Sequence, residues 1–272
     1  MQINLFISMK RFIFFIAFGL LLFLSPHAFA GLLTMEVETT LGSEEDTLRG
    51  TIKVTNKGDE PAMDLRAEIL SPGGGMLRKE IAKRIEPRVS ASLTFDSPLT
   101  GLQKGTYPLP ITVIFHDTKL YPFSALSCPV FSRGGEGRGD LICTALPVSL
   151  GERGEISFTL KNLGSKACAL HAMILLPREF HTPKTRENIL LEPGTTKALT
   201  LDVFNASALQ GAQYPVYGIF QYDTGEMHQT LVAATTLKIS EKGHWFAKTR
   251  WYWLLGGLLA ALITAARRFK KG

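Results

Sequence analysis

Apolar and polar residues alternate in short stretches throughout residues 31–241. Residues 51–55, 156–160 and 199–203 each place an apolar side chain at every second position. This period of two is typical of a β-strand that buries one face and exposes the other. Turn-forming stretches such as residues 72–75 and 193–194 separate the alternating stretches. The pattern predicts about seven short antiparallel strands per 100 residues and no convincing amphipathic helix.

The same region contains an internal repeat. Asn56 and Asn162 each begin an Asn-x-Gly triplet, and the two asparagines are 106 residues apart. Four further pairs keep this spacing to within one residue: Glu86-Pro87 with Glu192-Pro193, Asp117-Thr118 with Asp223-Thr224, Leu102-Gln103 with Leu209-Gln210, and Tyr107-Pro108 with Tyr214-Pro215. These matches predict two copies of a domain of roughly 100 residues. Because the two tyrosines are equivalent, we expect both to pack inside their domains.

Short strands separated by turns favour an antiparallel β-sandwich in each copy. We place sandwich 1 at residues 31–132 and sandwich 2 at residues 141–241. The stretch between them, residues 133–140, contains only glycine and charged residues and is too polar to pack. We therefore expect a linker that leaves the two sandwiches free to reorient.

Both copies resemble the bacterial Ig-like domains of the CARDB type and the related Ig-like module found beside α-galactosidase carbohydrate modules. The shared features are a strand ending in Asn-x-Gly, a strand preceded by hydrophobic-Glu-Pro, and a strand opening with Gly-x-Tyr-Pro. Residues 105–108 fit the last feature, whereas Ala212 replaces its glycine in copy two. The resemblance implies an all-β fold of two tandem Ig-like antiparallel β-sandwiches. It also implies an accessory, adhesive or spacer role at a cell surface, and no shared catalytic residues.

The N-terminus has the three parts of a secretory signal. Lys10 and Arg11 precede an apolar run at residues 12–24, and Pro26 and the triplet at residues 28–30 follow. This layout predicts a signal peptide at residues 1–30 that is cleaved after Ala30. The alternative is an uncleaved N-terminal anchor.

The C-terminus predicts one transmembrane helix at residues 251–266, a stretch of 16 residues without a charge. Residues 242–250 form the juxtamembrane segment and residues 267–272 the cytoplasmic tail. The expected anchor combines interfacial aromatic residues, small residues for close helix packing and basic residues that remain inside: Trp251, Tyr252, Trp253, Gly256, Gly257, Arg267, Arg268, Lys270 and Lys271.

Together the two ends predict a single-pass protein of the bacterial cytoplasmic membrane, with its ectodomain in the periplasm or outside the cell. A buried core helix is one alternative for the C-terminal segment. A cleaved sorting signal is another, although no LPxTG-type motif precedes the segment.

The net charge of +6 belongs to these two ends. Outside them the chain carries 22 basic and 24 acidic residues, so no nucleic-acid surface is expected.

Three cysteines, Cys128, Cys143 and Cys168, leave the redox state open. An exported domain permits disulfides, and a bridge from Cys143 to Cys128 or to Cys168 is conceivable. The third interpretation is three small buried hydrophobic side chains. No CxxC or mixed Cys/His spacing points to zinc.

The sequence gives little support for other metal-binding, adhesive or catalytic sites. His171 with His181 could bind a metal, and residues 44–46 could bind Ca²⁺, but scattered histidines and a solvated acidic run are the simpler interpretations. Residues 138–140 spell an Arg-Gly-Asp tripeptide that recurs by chance. No hydrolase elbow, P-loop or dinucleotide fingerprint is present, so we expect no enzyme activity, no cofactor and no metal.

The expected function is a non-enzymatic, membrane-anchored scaffold, spacer or recognition module for another envelope protein. The alternative is a glycan-binding accessory protein of a surface polysaccharide or glycoside-processing system. Five tyrosines could then supply the stacking surface that tryptophan usually provides: Tyr107, Tyr121, Tyr214, Tyr217 and Tyr222. A pilus-type chaperone is a third hypothesis, which the predicted anchor disfavours.

Overall fold

The computed structural model describes residues 33–44, 46–135, 139–225, 227–240 and 256–257. Two antiparallel β-sandwiches account for nearly all of these residues, and each sandwich has its own apolar core. The predicted signal peptide lies outside the described residues.

Sandwich 1 packs a three-stranded sheet, in the order β1-β2-β5, against a four-stranded sheet, in the order β4-β3-β7-β8. Inward-facing positions alternate along residues 48–54, as the sequence predicts, and Leu48, Ile52 and Val54 enter the core. The strands of this half of the chain are β1 (Met35–Glu44), β2 (Thr47–Asn56), β3 (Ala62–Leu70), β4 (Met76–Ile85), β5 (Ser90–Pro98), β6 (Lys104–Pro108), β7 (Ile111–His116), β8 (Pro122–Ser127) and β9 (Val130–Arg133).

Sandwich 2 repeats this arrangement, with the sheet β10-β12-β16-β14 packed against β15-β13-β17-β18. At its core the rings of Phe158 and Phe220 meet edge to face, with centroids 5.9 Å apart. Its strands are β10 (Leu141–Ala145), β11 (Val148–Leu150), β12 (Arg153–Asn162), β13 (Cys168–Leu175), β14 (Phe180–His181), β15 (Arg186–Leu191), β16 (Thr196–Asn205), β17 (Gln213–Thr224) and β18 (Met227–Ile239).

The first strand of sandwich 2 changes sheets. β10 pairs with β12, and after Pro147 the short β11 pairs in parallel with β18 of the opposite sheet. Proline suits this corner because it lacks the N–H that a continuous ladder would need. With this crossing and the strand order of both sheets, the fold is an Ig-like β-sandwich.

The repeat is confirmed at its asparagine anchors. Asn56 Nδ2 donates to the carbonyl oxygens of Glu60 and Ile85, and its Oδ1 accepts from Gly58 N. Asn162 makes the same three bonds at the same sequence separations. Each fully buried amide therefore ties the end of one strand to the turn that follows it and to the facing sheet.

The predicted packing role of the paired tyrosines is also confirmed. Tyr107 and Tyr214 are buried in their respective cores. Tyr107 Oη donates to Gln103 O (2.9 Å), and Tyr214 Oη accepts from Leu209 N (3.0 Å). A phenol bonded to the backbone just upstream is the tyrosine corner of Ig-like sandwiches.

One sequence match is not equivalent in three dimensions. Asp117 caps a turn, since its Oδ1 accepts from Lys119 N and Tyr121 N. Asp223 instead lies on β17 and bonds His228 across the hairpin. The hairpin of sandwich 2 is therefore longer than that of sandwich 1.

We predict that Asn56→Ala and Asn162→Ala each lower the free energy of unfolding by about 2–3 kcal/mol, because each leaves buried backbone groups unpaired. Chemical denaturation measures this loss. Asn188→Ala is the matched control, since that side chain is exposed and should cost under about 0.5 kcal/mol. Equal losses at all three positions would contradict the prediction.

Candidate functional site

The two sandwiches share one sheet. β18 pairs in parallel with β6, with Met227 opposite Lys104 and His228 opposite Gly105. Just beyond these pairs, Thr230 N donates to Thr106 Oγ1 (2.9 Å) and Thr230 Oγ1 donates to Thr106 O (2.8 Å). The four-stranded sheet of sandwich 2 therefore continues through β6 to β9 of sandwich 1.

Sandwich 1 leaves this edge of β6 open. β3 pairs with β7 and ends at Leu70, whose N–H donates to Pro110 O. Leu109 and Pro110 separate β6 from β7, so β3 does not reach β6. In sandwich 2 the equivalent strand β17 is continuous, and β13 pairs with its residues 217–221.

Glycine is required where the two backbones meet. Gly105 adopts φ of 141°, and a Cβ added there would lie 1.9 Å from His228 O. A side chain at this position would force β18 away from β6.

An aromatic contact covers the shared strand pair. The imidazole of His228 stacks on the ring of Tyr107, with centroids 4.5 Å apart. His228 Nδ1 bonds Asp223 Oδ1 (2.8 Å), while its Nε2 is buried and has no hydrogen-bond partner among the described residues. Burial, together with the negative charge of Asp223, raises the pKa of the Tyr107 phenol.

A buried carboxylate makes the second contact between the sandwiches. Glu179 is 1% exposed, and its two oxygens accept from Ser124 N (3.0 Å) and Ser124 Oγ (2.7 Å). Ser124 Oγ in turn accepts from Arg178 N (2.8 Å). Burying a carboxylate is costly unless donors replace the lost water, and here Ser124 of the other sandwich supplies two of them.

Apolar side chains fill the space between these polar contacts. Leu126 on β8 and Ile219 on β17 are buried, yet both face away from the core of their own sandwich. Each is therefore covered by the other sandwich. An exposed ion pair between Arg178 and Glu68 (2.9 Å) lies at the margin and contributes little to stability.

These contacts correct the expectation that residues 133–140 leave the sandwiches free to reorient. Arg133 is the last residue of β9, and Asp140 O accepts from Leu163 N of sandwich 2. The glycine-rich composition of the linker permits many orientations of the two sandwiches. Contacts between residues that lie far apart in sequence select one of them. Ser124 and Glu179 are 55 residues apart. Sequence reasoning missed both, because a serine and a glutamate on loops and strands carry no local signal.

A cleft of about 390 Å³ opens beside the junction. The β3–β4 turn and the prolines near β6 form one wall, and the outer face of β13, β15 and β17 forms the other. In the cleft His171 Nδ1 donates to Asn188 Oδ1 (2.8 Å). The polar side chains of the second wall are His171, Arg186, Glu187, Asn188 and Gln221.

The three cysteines are free thiols, so neither bridge considered from the sequence is present. Cys143 lies on β10 opposite Leu160, and Cys168 begins β13. Burial raises the pKa of Cys128 to about 12 and that of Cys143 to about 11. Burial also raises the pKa of Cys168, and the charge of Asp223 adds to the effect.

The other candidate ligands have ordinary partners. His181 packs against Phe204, with ring centroids 5.4 Å apart. Glu44 pairs with Arg49, and Asp46 pairs with Arg133. No group of three His, Cys, Asp or Glu side chains within the described residues could hold a metal ion. Of the Arg-Gly-Asp tripeptide, Arg138 lies outside the described residues.

The predicted membrane anchor lies outside the described residues, apart from Gly256 and Gly257, which are helical. No helix in the described part of the chain is long and apolar enough to cross a membrane.

No family model matches the chain, and no curated protein matches it. Among solved structures it is similar to a PapD-like domain of human CEP192 (13% identity, 41% of this chain and 94% of that one, TM-score 0.30). It is also similar to trypsin-activated α-2-macroglobulin from Escherichia coli (12% identity, TM-score 0.32), covering 76% of this chain and 18% of that one. A third similar structure is red sea bream transglutaminase (10% identity, TM-score 0.29), in a match that covers 77% of this chain and 31% of that one. TM-scores this low do not support a conclusion about fold or function. The fold assignment therefore rests on the strand order.

We predict that Gly105→Ala separates the sandwiches, because its Cβ would clash with His228 O. Small-angle X-ray scattering should show a larger radius of gyration. Gly101→Ala is the matched control, since Gly101 also has a positive φ (80°) but has nothing within 4 Å of an added Cβ. That control should cost only about 1–2 kcal/mol and leave the radius unchanged. Equal radii for both variants would contradict the account of the junction.

We predict that a thiol reagent modifies none of the three cysteines rapidly at pH 8, because their raised pKa values keep them as protonated thiols. Denaturation should expose three reactive thiols. Since the folded chain holds these protons more tightly than the unfolded chain, its stability should fall as the pH rises above the ordinary thiol pKa of 9.0. Fewer than three thiols after denaturation without reductant would show a disulfide.

Proposed function

We propose that the chain is a non-enzymatic, membrane-anchored envelope protein whose two Ig-like domains act together as one rigid scaffold or recognition module. The observation that carries this proposal is the junction, where a shared sheet and the Glu179–Ser124 contact hold both sandwiches in one orientation. A simple flexible spacer has no need of a buried carboxylate or of a glycine that only a neighbouring backbone requires. A module that presents surfaces from both sandwiches to one partner does need features that fix the orientation of the sandwiches.

The finer parts of the proposal rest on the sequence. The turn motifs support membership of the CARDB-type Ig-like domains. The signal-like N-terminus and the apolar, arginine-flanked C-terminus support a single-pass anchor in the bacterial cytoplasmic membrane, with the ectodomain in the periplasm or outside the cell. The proposed partner is another envelope protein.

The glycan-binding alternative receives less support from the exposed aromatic residues. Of the five tyrosines considered for sugar stacking, Tyr107, Tyr214 and Tyr222 are buried, and Tyr217 is partly buried. Tyr121, which is 57% exposed, is the one member of this set available as a platform. A polysaccharide partner is therefore kept as an outcome of the test.

The test is affinity purification of the full-length protein from gently solubilised membranes after crosslinking in cells. We expect one envelope protein in stoichiometric amount, and we expect Gly105→Ala, but not Gly101→Ala, to reduce its recovery at least tenfold. Recovery of the chain without a protein, together with binding to polysaccharide, would favour the glycan alternative. A reproducible hydrolase or transferase activity of the purified protein would overturn the proposal.

A further inference from the structure

One edge of the shared sheet is open. β15 pairs with β13 on one side, and no other described strand pairs with its second side. Such an edge presents a row of unpaired N–H and C=O groups to the surroundings. Proteins normally protect an edge of this kind with charge, a bulge or a covering loop.

The equivalent edge of sandwich 1 is protected in this way. β4 is ten residues long, and half of them are charged: Arg78, Lys79, Glu80, Lys83 and Arg84. In β15 the two charges are Arg186 and Glu187, and the uncharged run Asn188–Leu191 follows. Leu190, on the outer face, is 58% exposed. The charges of β4 therefore disfavour the addition of a further strand in sandwich 1, whereas the equivalent strand β15 of sandwich 2 remains open to it.

The first half of β15 lies in the cleft beside the junction. Arg186, Glu187 and Asn188 are consecutive and all line it, which places the strand's backbone at the cleft wall. Glu187 pairs with Lys184 (3.0 Å), whereas Arg186 has no ion-pair partner in the described part of the chain. The cleft thus offers an unpaired guanidinium beside an open strand edge.

We propose that the β15 edge binds an extended peptide segment of a partner protein by strand addition. An acidic residue of the peptide lies opposite Arg186, and an apolar residue lies opposite Leu190. Arg186 and Leu190 are both exposed on the outer face of the strand, four positions apart, so the two peptide side chains are also four apart. The proposal deepens the proposed function, on which it rests, by naming the surface and the chemistry of the partner.

Main-chain pairing and charge complementarity argue for a peptide as the occupant. Another backbone can pair with the whole row of N–H and C=O groups on an open edge, and opposite charges facing each other across two strands stabilise the pair. The fold already uses this mode of association, since β18 adds to the open edge of β6. Among the described residues, no Phe, Tyr or Trp lines the cleft, so these residues offer a sugar ring no stacking surface there.

The test is hydrogen–deuterium exchange on the full-length protein with a short blocked peptide that alternates Thr and Val. The peptide carries one Asp and one Ile four positions apart. We expect slower exchange in the segment that contains residues 186–191 and little change elsewhere. Leu190→Lys and Arg186→Glu should each weaken binding about tenfold, which corresponds to roughly 1.4 kcal/mol.

Matched control variants and peptides distinguish strand addition from non-specific adhesion of the peptide. Leu209→Lys replaces another exposed leucine of sandwich 2, and Arg153→Glu reverses another exposed arginine; both should bind the peptide normally. A peptide with N-methylated amides should not bind, and one with Lys in place of Asp should bind about tenfold more weakly. Unchanged exchange at β15 with millimolar peptide, or equal binding of the N-methylated peptide, would overturn the inference. Crosslinking that still recovers an envelope protein would then leave the proposed function standing.

Discussion

The open edge of β6 is the constraint on which the rest of the structure depends. A β-strand cannot leave its backbone groups unpaired in a buried place without a large cost in free energy. In sandwich 1 β3 pairs with β7 and not with β6, so this edge of β6 is free to take a partner from outside the sandwich. The long hairpin of sandwich 2 supplies that partner, and a tandem repeat becomes one rigid body.

The two copies differ at the positions that form the junction between the sandwiches. Sandwich 1 carries the break in its strands and the glycine that lets a neighbouring backbone approach. Sandwich 2 carries the extended hairpin and the buried Glu179 that meets Ser124. Both keep the asparagine and tyrosine anchors that stabilise each sandwich alone. The shared residues thus maintain the fold, and the differing residues maintain the arrangement.

The fold could be predicted from the sequence because its signals are local. Alternation of apolar residues indicates strands, and the Asn-x-Gly and Tyr-Pro matches indicate a repeat whose hydrogen bonds the structure reproduces. The Asp-Thr match misled, since a turn and a strand end can share two residues without sharing a conformation. The junction could not be predicted. Its contacts join Thr106 to Thr230 and Ser124 to Glu179, and nothing in the neighbouring sequence of these residues marks them as partners.

The glycine-rich composition of residues 133–140 also describes only local freedom. A flexible connection permits many orientations, but contacts elsewhere can select one of them, as they do here. Residual dipolar couplings of the full-length protein test this rigidity most directly. The account predicts that one alignment tensor fits the amide couplings of both sandwiches. Two tensors of different magnitude would show that the sandwiches move independently, and would contradict it.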